Sequence, residues 1–195
     1  MRLAIRHTTT YRYEGQVPYG LQRLRLVPKQ TQGQRIIDWT MSYEGAREEL
    51  SYEDQNHNCV TLISLRADAQ QVVVTSSGTV ETQDNAGVIG HHAGHLPLWS
   101  FLNQTRLTRI GAGLRQLLAQ VERSEEGTLA TLHNLSRTVL EKVRYETGMT
   151  EVSTTAEEAI AAGHGVCQDH ARIFIAAARA IEIPARYVSG YLMRE

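Results

Sequence analysis

The sequence predicts an α+β chain in which an antiparallel β-sandwich comes first and helices follow. Three observations predict it. Up to about residue 84, apolar residues recur at period two in short runs rich in Val, Ile, Thr and Tyr. Glycines, prolines and an Asp-Gln-Asn cluster punctuate those runs at roughly hairpin spacing. Past Pro97 the apolar spacing changes to that of helices.

The strand readings run in order along the chain. Residues 2–7 alternate, with Leu3 and Ile5 on one face, and residues 8–13 are rich in Thr and Tyr. Residues 22–28 set Arg23 and Arg25 opposite Leu24 and Leu26. Ile37, Trp39, Met41 and Tyr43 fall at period two, and residues 59–65 and 72–76 are further β-rich runs. Gly15, Gly20, Pro28, Gly45, residues 54–56 and Gly78 separate them, so residues 1–84 read as one all-β domain. Residues 85–97 hold glycines and polar side chains without a period and read as a linker. Residues 98–195 form the second domain.

In that domain, residues 98–102 suit one helical turn after Pro97. Ile110, Leu114, Leu117, Leu118 and Val121 mark an amphipathic helix, and residues 124–127 break it. Leu129, Leu132, Leu135, Val139, Leu140 and Val143 mark a second helix over about 128–145. Thr154 with Glu157, or Thr155 with Glu158, fits a capping box for a short helix ending at Ala162, with Gly163 at its left-handed cap. A last helix begins near Cys167 and ends at Glu182-Ile-Pro184, and residues 185–192 then read as a strand.

Composition excludes several classes. The 195 residues carry 20 Lys+Arg against 21 Asp+Glu, a net charge of -1, which is not the basic footprint of a nucleic-acid binder. Hydrophobic residues at 42% and charged residues at 21% suit a folded globular chain. No apolar run is long enough for a transmembrane helix, and charges at Arg2 and Arg6 interrupt any signal-peptide core. Cys59 and Cys167 are the only thiols, so a disulfide framework is not expected and a reducing cytoplasm is.

The chemistry concentrates in Gly163-His-Gly-Val-Cys-Gln-Asp-His170. From Cys167 onward, Ala171, Phe174, Ile175, Ala178 and Ile181 recur at helical spacing, which puts the thiol in a helix's first turn. There it faces unpaired N–H groups and the positive end of the helix dipole, which favour thiolate over thiol. The same N–H groups can stabilise an oxyanion on an attacked carbonyl. The plainer alternative is a small buried hydrophobe on a helix face, as free cysteines often are.

Thr154-Thr155-Ala-Glu-Glu-Ala, Gly165-Val-Cys-Gln-Asp-His170 and Ile183-Pro-Ala-Arg-Tyr-Val-Ser-Gly-Tyr191 together resemble the core of bacterial transglutaminase-like proteins, a papain-like cysteine-enzyme fold. His7-Thr-Thr-Thr-Tyr-Arg-Tyr13 and Leu21-Gln-Arg-Leu-Arg-Leu-Val-Pro28 resemble the β-sandwich region that precedes this core. The resemblance implies a Cys–His–Asp triad acting on an amide by transamidation, deamidation or proteolysis, with Cys167 at the nucleophile position. In the family, His and Asp come from strands after the Val-Ser-Gly-Tyr strand, and neither role maps onto a residue here. The expectation is therefore a core present only in its helix–strand start, from a chain truncated at its C-terminus.

Other residues are weighed against plainer roles. His170, three positions after Cys167, can activate the thiol or simply pack locally. Asp169 suits a solvated or capping carboxylate. His91, His92 and His95 can offer imidazoles to a metal, but no carboxylate or thiol stands near them in sequence, so no metal and no cofactor is expected. Cys59, in a strand-like run, reads as a structural thiol, and Glu125-Glu126 as a solvated helix end. Arg186, Tyr187 and Tyr191 can line a groove or be structural. Two functional classes follow: a thiol acyltransferase or hydrolase acting on a protein or peptide amide, or a non-catalytic module whose open sheet edge is covered by a second copy. Neither a nucleic-acid nor a membrane partner is expected.

Overall fold

The computed structural model of the protein describes residues 1–15, 17–67, 69–92 and 94–191. It divides into two units, Met1–Leu96 and Pro97–Glu195.

The described residues of the first unit form six strands: β1 Arg2–Arg12, β2 Leu21–Leu24, β3 Gln34–Glu44, β4 Ala46–Glu53, β5 Cys59–Leu65 and β6 Gln71–Thr82. They form two antiparallel three-stranded sheets, ordered β1-β6-β3 and β2-β5-β4. Ala46, Ile63 and Leu65 from one sheet and Val72 and Val74 from the other share a core, with Met41, Tyr43, Leu24 and Leu26 packed on it. Alternation decides which side chains enter that core, as in β6, where Val72, Val74, Ser76 and Val80 are buried.

The chain switches sheets between β3 and β4 at Gly45, whose φ is 72°. A Cβ there would lie 2.1 Å from the Gln71 carbonyl oxygen, so the corner requires glycine.

The β4–β5 turn is built on Asp54. Its Oδ1 accepts from the backbone N–H groups of Asn56 and Asn58, both at 2.9 Å. Its Oδ2 accepts from Asn58 Nδ2 and Arg25 Nε, both at 2.9 Å. Burial works against the charge, but the hydrogen bonds from Asn58, Arg25 and Asn56 outweigh it and hold the carboxyl well below its ordinary 3.8. A depressed folded value means the stabilisation is present above 3.8 and is lost as pH falls from there through the folded value. Asp54→Asn is expected to lower the urea midpoint of this unit at neutral pH, with the gap from wild type narrowing toward about pH 3. Trp39 fluorescence in a Trp99→Phe background reads it, and a gap that stays constant with pH would contradict the assignment.

The second unit holds α1 Ala112–Leu118, α2 Thr128–Lys142, α3 Ala156–Ala162 and α4 Cys167–Ala180, preceded by 3-10 turns at Leu98–Leu102 and Arg106–Thr108. A short parallel pair, β7 Arg144–Tyr145 and β8 His164–Gly165, joins the end of α2 to the approach to α4. Leu114, Leu117, Leu135, Val139, Val143, Ala159, Ile173 and Ala176–Ala178 form the core. Its small residues lie on α3 and α4, which lets those helices approach closely.

The antiparallel sandwich and the α+β class stand as the sequence predicts. The structure differs from those readings at four places. β1 is one continuous strand, and β4, unrecognised in the sequence, exists at a sheet edge. The helix read over residues 110–121 is confined to α1. Residues 185–191 form no strand, because no described strand lies beside them to supply a ladder; Leu192 lies outside the described residues. Among the described residues no helix is long and apolar enough to cross a membrane.

Candidate active site

The site begins where α3 ends. Thr155 caps α3, its Oγ1 accepting from the Glu158 N–H at 3.3 Å while Glu158 Oε2 accepts from the Thr155 N–H at 2.7 Å. The Thr155 N–H first, and then its hydroxyl at 2.8 Å, donate to Oε2 and hold the Glu158 carboxyl below its ordinary value. Gly163 closes the helix at φ 70°, its N–H bonding to the Ala159 and Ile160 carbonyls. The chain then pairs with β7, Arg144 N–H bonding to Gly163 O and Glu146 N–H to Gly165 O, both at 2.9 Å.

Gly165 is buried, and a Cβ on it would lie 2.8 Å from Asp169 Cβ and 2.9 Å from Asp169 Oδ2. Only glycine lets the backbone lie against that carboxylate. Asp169 Oδ2 accepts from the Val166 N–H at 2.9 Å and from Thr150 Oγ1 at 2.6 Å. Val166 is the residue before the first turn of α4, so Asp169 satisfies a donor at the helix start from inside the protein. Its other oxygen, Oδ1, has no hydrogen-bond donor among the described residues and faces Arg172 Nη1 at 3.7 Å.

Arg172, also buried, donates to the Thr154 carbonyl at 2.6 Å and the Val152 carbonyl at 2.7 Å. The buried pair thus fastens residues 150–154 onto the first turns of α4. Further along, Arg179 donates to the Ala185 carbonyl through Nε and Nη2, and to Thr108 Oγ1 through Nη1.

Cys167 stands on this base as the first residue of α4, and it is solvent-exposed. The buried-hydrophobe alternative therefore does not describe it. Its backbone lies at the helix end whose N–H groups are unpaired. Among the described residues the sulfur is open to solvent, so a carbonyl can approach it. A concavity of ≈ 450 Å³ opens on the fastened loop, walled by Arg106, Met149, Thr150, Ser153 and Glu158, and Cys167 is not part of its wall.

His170 serves the fold. Its Nε2 lies 2.9 Å from the Val143 carbonyl oxygen, which fixes that nitrogen as the donor, and its ring centroid is 6.3 Å from that of Tyr145. Asp169 is a cap, as one reading had it, but it is fully buried rather than solvated. No motif or spacing in the sequence marks Thr150, and little marks Arg172. An Arg three residues after an acidic first-turn residue was the available signal, though a weak one.

The other candidates separate. Cys59 is half-buried in β5, opposite Glu53. Glu125 and Glu126 are exposed. The Arg186 guanidinium lies over the Phe101 ring, 5.6 Å from its centroid, and Tyr187 and Tyr191 are exposed. His91, His92 and His95 do not come together as a set: His92 Nε2 bonds the Leu96 carbonyl at 2.7 Å. His95 instead meets Glu53 and His57, one ligand-capable atom from each lying within 4.8 Å of the others. The carboxylate absent from the local sequence arrives through the fold.

Comparison with known proteins bears on both units. Residues 3–81 match the bacterial transglutaminase-like N-terminal region, and residues 115–195 match the transglutaminase-like superfamily. An uncharacterized protein of Mycobacterium leprae (strain TN) is 27% identical over 204 residues, covering 98% of this chain and 71% of its own length. An uncharacterized protein of Mycobacterium bovis is 26% identical, covering 98% of this chain and 66% of its own length. A crystal structure of a candidate cysteine protease from Cytophaga hutchinsonii superposes with a TM-score of 0.72 at 17% identity, covering 94% of this chain and 65% of that one. The chain thus spans about two thirds of the proteins it matches, and the structural likeness establishes a shared papain-like fold. With the two family regions following one another in this order, the chain belongs to the transglutaminase-like superfamily.

Proposed function

We propose that this protein is a transglutaminase-like thiol enzyme in which Cys167 attacks an amide carbonyl of a protein or peptide substrate. The thiolate forms a thioester and expels an amine or ammonia, and the acyl group passes to another amine or to water. The observation that carries the reading is the exposed Cys167 at the first position of α4, behind a glycine approach and a buried carboxylate cap, inside the superfamily match. The reading assigns the nucleophile only, and no residue is given the role of base or of its orienting carboxylate. It also places the protein in the cytoplasm, where Cys59 and Cys167 stay reduced.

The test is a competition between the two thiols. With limiting iodoacetamide near neutral pH, Cys167 is expected to alkylate about tenfold faster than Cys59 or more, because it is exposed at a helix start whereas Cys59 is half-buried in a strand. Peptide mapping by mass spectrometry reads the ratio. The same chain incubated with glutamine-containing peptides is expected to show a thioester adduct that Cys167→Ser abolishes. Equal, slow alkylation of both thiols would overturn the reading.

A second reading is a binding or assembly module without turnover. It is favoured by one observation: His170, the histidine nearest after Cys167, commits its Nε2 to the Val143 carbonyl. On that reading Cys167 alkylates fast, no thioester accumulates, and the chain forms a concentration-dependent dimer by sedimentation.

A further inference from the structure

Glu53, His57 and His95 all belong to the first unit, yet they come from two separate stretches of chain. Glu53 ends β4, and His57 sits in the β4–β5 turn with φ 56°. That turn is held by the four hydrogen bonds to Asp54, by His57 N–H to the Asp54 carbonyl at 2.8 Å, and by Lys29 Nζ on the Asn56 carbonyl. Its shape is therefore set before any ligand arrives.

His95 lies after β6, on a segment that rests against the same turn. A Cβ on Gly94 would lie 3.6 Å from the Gln55 carbonyl oxygen, and the His57 and His95 rings stand 4.5 Å apart, centroid to centroid. Nδ1 of His57 also contacts Glu53 Oε1. Two imidazoles and one carboxylate thus converge, with Glu53 and His95 exposed and His57 half-buried.

We propose that Glu53, His57 and His95 bind a divalent transition metal of the zinc class. Two imidazole nitrogens and a single carboxylate select zinc, cobalt, nickel or copper over magnesium and calcium, which take oxygen ligands. Metal–ligand lengths of ~2.0–2.2 Å place ligand atoms about 3.4 Å apart around a tetrahedral ion. Closing the present cluster, whose atoms lie within 4.8 Å, takes side-chain rotations of the two exposed residues, Glu53 beside the fixed turn and His95 on the segment against it. Three protein ligands leave a fourth position for water. The ion would tie the segment carrying His95 to the β4–β5 turn and so stabilise the first unit. It has no part in the thiol chemistry proposed for Cys167.

The test is a Co(II) titration of the full chain carrying Cys167→Ser. One equivalent is expected to give the intense visible ligand-field bands of a four-coordinate site, displaced by Zn(II). His95→Ala and Glu53→Gln, at exposed positions where folding is little affected, are expected to weaken binding about 100-fold or more, as each removes a direct ligand. His91→Ala is expected to bind like the parent. Zn(II) is expected to raise the melting temperature of the parent and not that of His95→Ala. The proposal is overturned by any of three results: no saturable absorption, equal binding by His95→Ala, or a near-ultraviolet thiolate-to-cobalt charge-transfer band showing that Cys59 is the ligand.

Discussion

Asp169→Ala is expected to destabilise the second unit by about 3–5 kcal/mol, because it leaves a buried guanidinium without its counter-charge. Both partners are buried, Arg172 Nη1 facing Asp169 Oδ1 at 3.7 Å. The substitution also removes the acceptor for the Val166 N–H and for the Thr150 hydroxyl. At 1.4 kcal/mol per decade, the folded-to-unfolded ratio falls by roughly 140- to 3,700-fold. Urea unfolding followed by helical circular dichroism measures it selectively, since the regular structure of the first unit is all strand. Asp169→Asn keeps the shape and one acceptor oxygen and is expected to cost less. An Asp169→Ala midpoint equal to wild type would show that Arg172 gains nothing from the carboxylate.

Glu157→Ala is expected to cost about 2–4 kcal/mol, the scale of losing a charged cap that satisfies several donors at once. The Glu157 side chain, on α3, reaches the start of α1. Oε1 accepts from the Gly111 and Leu114 N–H groups at 2.9 and 2.8 Å, and Oε2 from Gly113 at 3.0 Å. A carboxylate at that helix end also opposes the helix dipole favourably. Gln is a poor replacement, because its NH2 group would face an N–H donor. A Cβ on Gly111 would sit 2.5 Å from Glu157 Cδ, so Gly111→Ala is expected to be harmful in wild type and nearly silent in Glu157→Ala. A double-mutant cycle by urea unfolding measures this coupling, and full additivity would refute the cap.

These two residues mark where sequence reasoning stops. Cys167 was legible because the apolar period of α4 fixes the helix start to within a residue, and Gly163 and Gly165 mark the approach. The capping box of α3 was legible because its partners lie three residues apart. Glu157 was paired with Thr154 as a second possible box, whereas its true partners lie more than forty residues upstream. Asp169 was read from its place in the first turn, which says nothing of Thr150 or of the loop that buries it. β4 escaped because Ala-Arg-Glu-Glu-Leu-Ser-Tyr-Glu carries charge on both faces; it is an edge strand exposed along nearly its whole length. β7 and β8, two residues each, carry no period to detect. The pattern at residues 185–191 suits a strand, but a strand exists only with a neighbour. The sequence shows no carboxylate near His91, His92 and His95, whereas the fold sets His95 alone beside Glu53 and His57 of the β4–β5 turn.

The β7–β8 pair and the His170–Val143 bond have a consequence for how the thiol's surroundings assemble. α4 can form from its own short-range bonds, whereas the ladder and the Val143 tether join residues about twenty or more apart in sequence. Closing such loops costs entropy that local helix formation does not, so these contacts are expected to consolidate after the helices on the folding pathway. Helix content and site integrity are accordingly separable properties of this chain: a molecule with all four helices in place can still hold Cys167 on an unanchored first turn.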